Sequence, residues 1–450
     1  MVSNSASAAS NFAFVCNSEE RRWLAKNVPA FKNEPFITTA DDYITKMDFE
    51  LHSTMFPQDL YRNYSSTWEK IVESLINSDN FGNAIKVNNF SKELASSLVT
   101  PQDSVLLKMQ KIYNYVKHTL KWNGVNNMYI SNNSAKATFD KKSGNSADIN
   151  LSLVALLKSS GINASPFLIS TRSNGRHPGI PLITKFNYVI AAVQHEDGIY
   201  YLDATNPYYS VNCPSTEALN HQGLLIDSDR KTGSWRPIEP ATISTSNLTN
   251  YFTIENNLLT GYISKHRTYY DALDAKRKHQ SAANKEDYIK TFKGNLSGLN
   301  VIDFIPDSNK SAQVFSERFN VTIDDFIEEA GNLLYFNPII FERTSSNPFT
   351  ADERAFPVDF TMPKEENYKL IFNIPETLSL EKLPTSIQFT LEDKSASFTY
   401  IAKHVGSQIL IQSKIIIGSS LYSPEQYFDL KNLFKEIVSK QAEPIVLKKL

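Results

Sequence analysis

The sequence predicts a multidomain α+β protein, with a mixed central domain followed by a β-sandwich domain that carries helices. Three observations predict it. The chain has 450 residues, too many for one core at roughly 150 residues per domain. Hydrophobic residues make up 41% and charged residues 21%, the balance of a folded chain and not of a disordered one. Helical periodicity concentrates in residues 65–160, whereas short strand-like segments separated by turn residues prevail beyond residue 240. Charge adds an exclusion: 46 Lys+Arg against 48 Asp+Glu leaves −2, without the basic surplus of a nucleic-acid binder. No run approaches the roughly 18 apolar residues of a membrane span.

Taken in order, residues 11–16 read as a short strand. Tyr43 to Leu51 alternates, which predicts a strand with Tyr43, Met47, Phe49 and Leu51 on its buried side. Ser65-Ser66-Thr67 opens a helix with Ile71, Leu75 and Ile76 inward, and Asn88-Asn89 precedes another. A longer helix follows Pro101, with Val105, Leu106, Met109, Ile112, Tyr113 and Val116 at helical spacing. Residues 125–142 are polar and predict a long surface loop. A helix over Ser146 to Ser160 carries Ile149, Leu153, Leu156 and Leu157 and stops at Gly161. Ala164 to Ser170 is a strand, Ser173-Asn174-Gly175 a turn, and Phe186–Val193 with Ile199–Ala204 a hairpin. The Trp235 to Pro240 stretch marks a domain boundary, giving units 1–95, 96–240 and 241–450. Beyond it come a hairpin turning at Asn256-Asn257, a charged helix from Asp271 to Thr291, strands near 368–374, 386–391, 397–402 and 408–417, a helix over 424–440 and a last strand at Ile445-Val446-Leu447.

One constellation looks like chemistry. Ser146 stands at a helix start, where free N–H groups and the helix field favour a nucleophile. The following hairpin bears Tyr188 and Asp203. A four-residue loop at 194–197 sets Tyr188 opposite Asp203, Cβ atoms about 5 Å apart; a two-residue turn shifts the partner but keeps both on one face. Nucleophile, base and orienting carboxylate are arranged in this way in thiol-type triads.

Residues 101–240 resemble the transglutaminase-like, papain-related (cysteine-protease-like) domain. The resemblance rests on Lys142-Ser-Gly-Asn-Ser-Ala-Asp-Ile-Asn-Leu151, Leu157 to Ala164, Ser170 to Gly175, Phe186-Asn-Tyr-Val-Ile-Ala191 and Tyr201-Leu-Asp-Ala-Thr205. The flanks resemble uncharacterised domains that accompany it in exported proteins of Gram-negative bacteria. Residues 11–95 (Val28 to Ala30, Glu34) resemble the end of an upstream domain, and residues 241–450 (Asn347 to Phe349, Arg354 to Phe360) a downstream β domain. The resemblance implies the periplasm or cell surface. Met1 to Ser18 carries no signal-peptide pattern, so a truncated or shortened chain is expected.

The resemblance also implies a departure. Active relatives carry Cys where Ser146 stands and His where Tyr188 stands; only Asp203 is kept. A hydroxyl without an adjacent base is a weak nucleophile. A phenol of pKa near 10 cannot act as the general base at neutral pH. Losing either member of such a triad costs on the order of 10⁶ in turnover. The expectation is therefore a non-catalytic domain with no cofactor and no metal, binding a peptide or glycan in a retained cleft bounded by Ser146, Tyr188, Asp203, Asn187 and Arg172, or serving as a scaffold. Several alternatives stay open: Ser146 as N-cap or cleft hydroxyl, Tyr188 bonded to Asp203 or merely packed, Arg172 as carboxylate ligand or loop tie, and Tyr200, Tyr201, Tyr208 and Tyr209 as cleft lining or sheet packing. Cys213 is read as a relocated nucleophile, a buried hydrophobe or a disulfide partner of Cys16, and a third role is a structural module with a closed cleft. His177 and His195 are expected in solvated loops.

Overall fold

The computed structural model describes residues 17–306 and 313–450, apart from 29, 48, 50, 52, 57–60, 64–66, 256–257 and 295. The expected strand at 11–16, Cys16 and the Asn256-Asn257 turn lie outside them.

Five helices build the central region: α1 (Trp68–Asn77), α2 (Asn89–Leu98), α3 (Val105–Thr119), α4 (Ala135–Lys141) and α5 (Ser146–Ser159). Each starts where Thr67, Asn88, Ser104, Ser134 or Asn145 accepts an otherwise orphaned first-turn N–H. Helix α5 is the hub, buried from Ser146 through Leu157, and Gly161 leaves it at φ +76°. Strands β1 (Ala164–Ile169), β2 (Tyr188–His195), β3 (Gly198–Leu202), β4 (His221–Asp227) and β5 (Thr232–Ile238) form one antiparallel sheet in the order β3-β2-β1-β4-β5. Val189, Ala191 and Val193 share a core with α5, whereas Tyr188, Ile190 and Ala192 pack in another with Tyr270 and Leu273 from the downstream region. Both faces being covered, β1 is buried along its whole length.

The downstream region continues with β6 (Ser244–Glu255), β7 (Leu258–Thr268), α6 (Tyr269–Ser281), α7 (Lys285–Lys293), β8 (Leu299–Pro306), β9 (Val314–Ile323), β10 (Glu328–Ala330), β11 (Leu333–Phe336), β12 (Lys364–Asn373), β13 (Leu378–Lys382), β14 (Ile387–Thr390), β15 (Ala396–Val405), β16 (Gln408–Ile417), α8 (Tyr427–Gln441) and β17 (Ile445–Lys449). An eight-stranded sheet runs β8-β9-β7-β6-β12-β16-β15-β14, with β6 and β12 its parallel pair. A four-stranded sheet runs β10-β11-β17-β13. Strict alternation along β16 buries Ile409, Ile411, Ser413, Ile415 and Ile417. Most of those residues join Phe336, Ile445 and Leu447 of the small sheet and Leu430, Leu433 and Ile437 of α8 in one core. The strand-rich region carrying helices is therefore present.

Several expectations need correction. No strand occupies the described part of Tyr43–Leu51; a 3₁₀ turn at Ala40–Asp42 is followed by irregular chain with Met47, Phe49 and Leu51 exposed. Alternation there has no partner strand to face. Val105 and Leu106 are exposed at the start of α3. Residues 125–142 are not a surface loop: Met128, Ile130, Asn132 and Thr138 are buried and α4 lies within the span. The 271–291 helix is two helices, because Asn284 caps α7 afresh. Lys276 of this charged stretch is buried. Helices α1 and α2, assigned above to the upstream unit, contribute Ile71, Val72, Leu75 and Ala95 to the core around α5.

Candidate functional site

The hairpin turn is the two-residue one: Val193 pairs with Tyr200 and His195 with Gly198. Tyr188 and Asp203 are therefore diagonal neighbours on one face. The Tyr188 hydroxyl lies 3.2 and 3.0 Å from the two Asp203 carboxylate oxygens and 3.0 Å from Thr205 Oγ1. Burial, then the Asp203 charge, hold the Tyr188 phenol well above its usual pKa, so it is a neutral donor. Asp203 is fully buried and satisfied on every side. It accepts from Tyr188, from Asn150 Nδ2 (3.3 Å), from the Thr205 hydroxyl (2.7 Å) and N–H (3.1 Å), and from the Ser215 N–H (3.1 Å). Its own carbonyl accepts from the Tyr113 hydroxyl at 2.9 Å.

Ser146 does not join them. As the first residue of α5 it is fully buried, and its hydroxyl donates to the Asn127 carbonyl at 2.7 Å while accepting the Asn127 N–H at 2.8 Å. Both functions of the hydroxyl are spent on the irregular segment lying over the helix start. The residue that links α5 to Asp203 is Asn150, one turn further on. Its amide reaches Asp203 and the Val189 carbonyl, and its oxygen accepts the Ala204 N–H at 2.8 Å. Ser146 is not the N-cap either; Asn145 is, in a reciprocal pair with Asp148.

Asp148 fastens the covering segment. Its carboxylate accepts the Ser131 N–H (2.9 Å), the Ser131 hydroxyl (2.6 Å), the Asn132 N–H (2.9 Å) and the Asn145 N–H (2.9 Å). Gly144 is required beside it, since a Cβ there would stand 2.4 Å from Asp148 Cβ. Neither Asn150 nor Asp148 was singled out from the sequence. The available signal was two polar residues at the inward phase of a helix otherwise buried on all sides.

The remaining candidates are structural ties. Asn187 holds the β1–β2 approach, accepting the Thr171 N–H at 2.8 Å and donating to its hydroxyl at 2.9 Å. Arg172 is no free carboxylate receptor: its fork meets Asp359 of the downstream region at 3.0 and 3.1 Å. Tyr209 is buried and Tyr201 packs on Phe167 with centroids 4.8 Å apart, which is sheet packing. His177 is not solvated but enclosed by Trp68, Phe186 and Trp235, with both ring nitrogens bonded. Cys213 is a buried free thiol, pushed up to about 11 by burial. The expected retained cleft is closed at this point, since Ser146 and Asp203 show no exposure and Tyr188 only 3%. Among the described residues no group of His, Cys, Asp and Glu has metal-holding geometry, and no helix is long and apolar enough to cross a membrane.

Family models match two parts of this chain. Residues 92–192 match the family described as the transglutaminase-like superfamily, and residues 332–447 match DUF3858, a domain of unknown function with a solved structure. No curated protein matches the chain. A crystal structure described as "a putative protease from Parabacteroides distasonis ATCC 8503" is similar at 10% identity and TM-score 0.48, over 84% of this chain. The chain spans 58% of that protein's length. The chain thus combines a transglutaminase-like domain with a DUF3858 domain.

Proposed function

We propose that the transglutaminase-like domain is non-catalytic and that the chain acts as a scaffolding or binding protein whose former reaction centre has become a polar core. The Ser146 hydroxyl carries this reading. It is buried and doubly bonded to Asn127, and Tyr188, in the position where the resemblance implies imidazole, is a neutral donor to Asp203. An acyl transfer needs a nucleophile, a base that accepts its proton and room for a carbonyl between them. None of the three is supplied at Ser146. Peptide or glycan binding, if it is the role, is then carried by other surfaces than this centre. The export implied by the resemblance, to the periplasm or cell surface, belongs to the same reading and is tested by fractionating the native host.

The experiment is turnover on a panel of peptides, esters and amine acceptors. The expected rate equals that of Ser146→Ala; a rate that this substitution abolishes would falsify the proposal. The alternative, a hydrolase or acyltransferase using Cys213, makes a separate forecast. A thiol at about 11 is ionised to roughly one part in ten thousand at pH 7. Iodoacetamide is expected to label Cys213 only after unfolding; rapid labelling of the native chain at that residue would revive the alternative.

A further inference from the structure

Unpaired polar atoms occur where the turn after β1 meets the entry to β4. Eight buried side-chain nitrogen and oxygen atoms lack a hydrogen-bond partner among the described residues, and four of them belong to Arg176 (Nε and Nη2), Asn220 (Oδ1) and His221 (Nε2). Arg176 follows the turn after β1, Asn220 and His221 lead into β4, and the two segments are tied together. Asn220 Nδ2 donates to the Ser170 and Thr171 carbonyls at 2.9 and 3.3 Å, and Arg172 donates to the Leu219 carbonyl at 3.3 Å. Asn220 itself is 97% buried, with 3% exposure. A buried polar atom left unpaired is costly, so several of them together call for a cause.

The nearby carboxylates do not supply it. Asp359 is taken up by the Arg172 fork and stays 3.9 Å from His221 Nε2. Asp42 accepts the Arg176 backbone N–H at 2.7 Å and the Thr38 hydroxyl at 2.6 Å. Lys185, the other cation beside the turn, is spent on the Asn174 carbonyl at 2.6 Å. What remains is the side edge of one guanidinium, with two N–H donors, and one imidazole nitrogen. His221 is also held in the left-handed region at φ +68°, costly for a residue with a Cβ and commonest where a side chain must be aimed. A guanidinium edge is the geometry that receives two oxygens of one oxyanion.

We propose that the junction of the 172–176 turn and residues 219–221 at the entry to β4 is a binding site for an oxyanion group, a carboxylate or a phosphate. Arg176 grips two of its oxygens, His221 Nε2–H donates to it, and Asn220 Oδ1 accepts from an N–H or O–H on the same ligand. The site is independent of the Tyr188–Asp203 pair, and both segments are fixed by hydrogen bonds that do not use the orphaned atoms.

The test titrates the full-length chain at pH 7 with acetate and with phosphate, against chloride at matched ionic strength, reading thermal unfolding and calorimetric heat. Saturable stabilisation by one of them is expected, the tighter ligand deciding between carboxylate and phosphate. Arg176→Gln is expected to weaken binding at least tenfold. His221→Asn, which tolerates the same backbone, should weaken it several-fold while leaving the far-UV spectrum unchanged. No saturable response beyond chloride, meaning that water alone satisfies these atoms, overturns the proposal. So does an undiminished response in Arg176→Gln with His221→Asn also unchanged.

Discussion

Replacing Asp203 by Ala is expected to destabilise the chain by on the order of 4 kcal/mol. Five donor contacts converge on this carboxylate: the Tyr188 and Thr205 hydroxyls, the Thr205 and Ser215 N–H groups and the Asn150 amide. The truncated side chain leaves them in a water-free space, and a buried donor without acceptor costs about 1–3 kcal/mol. Loss of the buried charge offsets part of that cost, so the sum falls well short of five full penalties. Asp203→Asn should be intermediate, because its amide oxygen keeps one acceptor while its NH₂ faces donors. Urea unfolding followed by near-UV and far-UV signals measures both. A change within 1 kcal/mol for Asp203→Ala would show that these contacts do not stabilise the fold. The expectation differs from that for a catalytic carboxylate, whose removal lowers turnover and leaves stability nearly intact.

The same residues show what a sequence can and cannot disclose. The Ser146–Ser159 helix and the strand that follows were legible because period and stop are local: apolar residues every three or four positions and Gly161 after the helix, although the cap is Asn145 and not the Ser146 considered from the sequence. The approach of Tyr188 to Asp203 was legible because parity survives a change of turn length; the actual register differs by two residues and still leaves them on one face. The fate of Ser146 was not legible. Its partner, Asn127, lies in a polar stretch that reads as solvent-exposed, and the burial of Met128 and Ile130 together with the hydrogen bonds to Asp148 brings that stretch over the helix. Strands β4, β5, β8 and β9 were missed, β5 for a related reason. Thr232–Ile238, with Gly233, Ser234, Arg236 and Pro237, has little β-propensity and is held by its ladder to β4. Arg172 illustrates a third limit. Its choice between ligand and loop tie depended on Asp359, 187 positions away, and no local pattern points across that distance.

The closure over Ser146 predicts the second large effect. In Asp148→Ala the loss of four contacts, three of them to Ser131 and Asn132, should release residues 127–132 from the α5 N-terminus, at a cost of about 3 kcal/mol. The capping pair is halved, since Asn145 keeps its bond to the residue-148 N–H but loses the reciprocal one. Hydrogen exchange should localise the change. Amides of Asn127, Ser131 and Asn132 exchange at least tenfold faster, while those of β1 and β2 keep their protection, because that sheet rests on α5 through Val189, Ala191 and Val193 rather than through Asp148. The outcome separates two explanations of the non-catalytic centre proposed above. If chemistry is absent because Ser146 lacks a base, the released variant is as inactive on the peptide panel as the parent. If the covering segment alone blocks a competent centre, release produces turnover that a further Ser146→Ala removes. Tyr188 decides between them in advance. Opening the segment leaves the phenol buried against Asp203 and does nothing to lower its pKa, so no proton acceptor appears beside the hydroxyl. An inert but more exchangeable Asp148→Ala protein is the expected result.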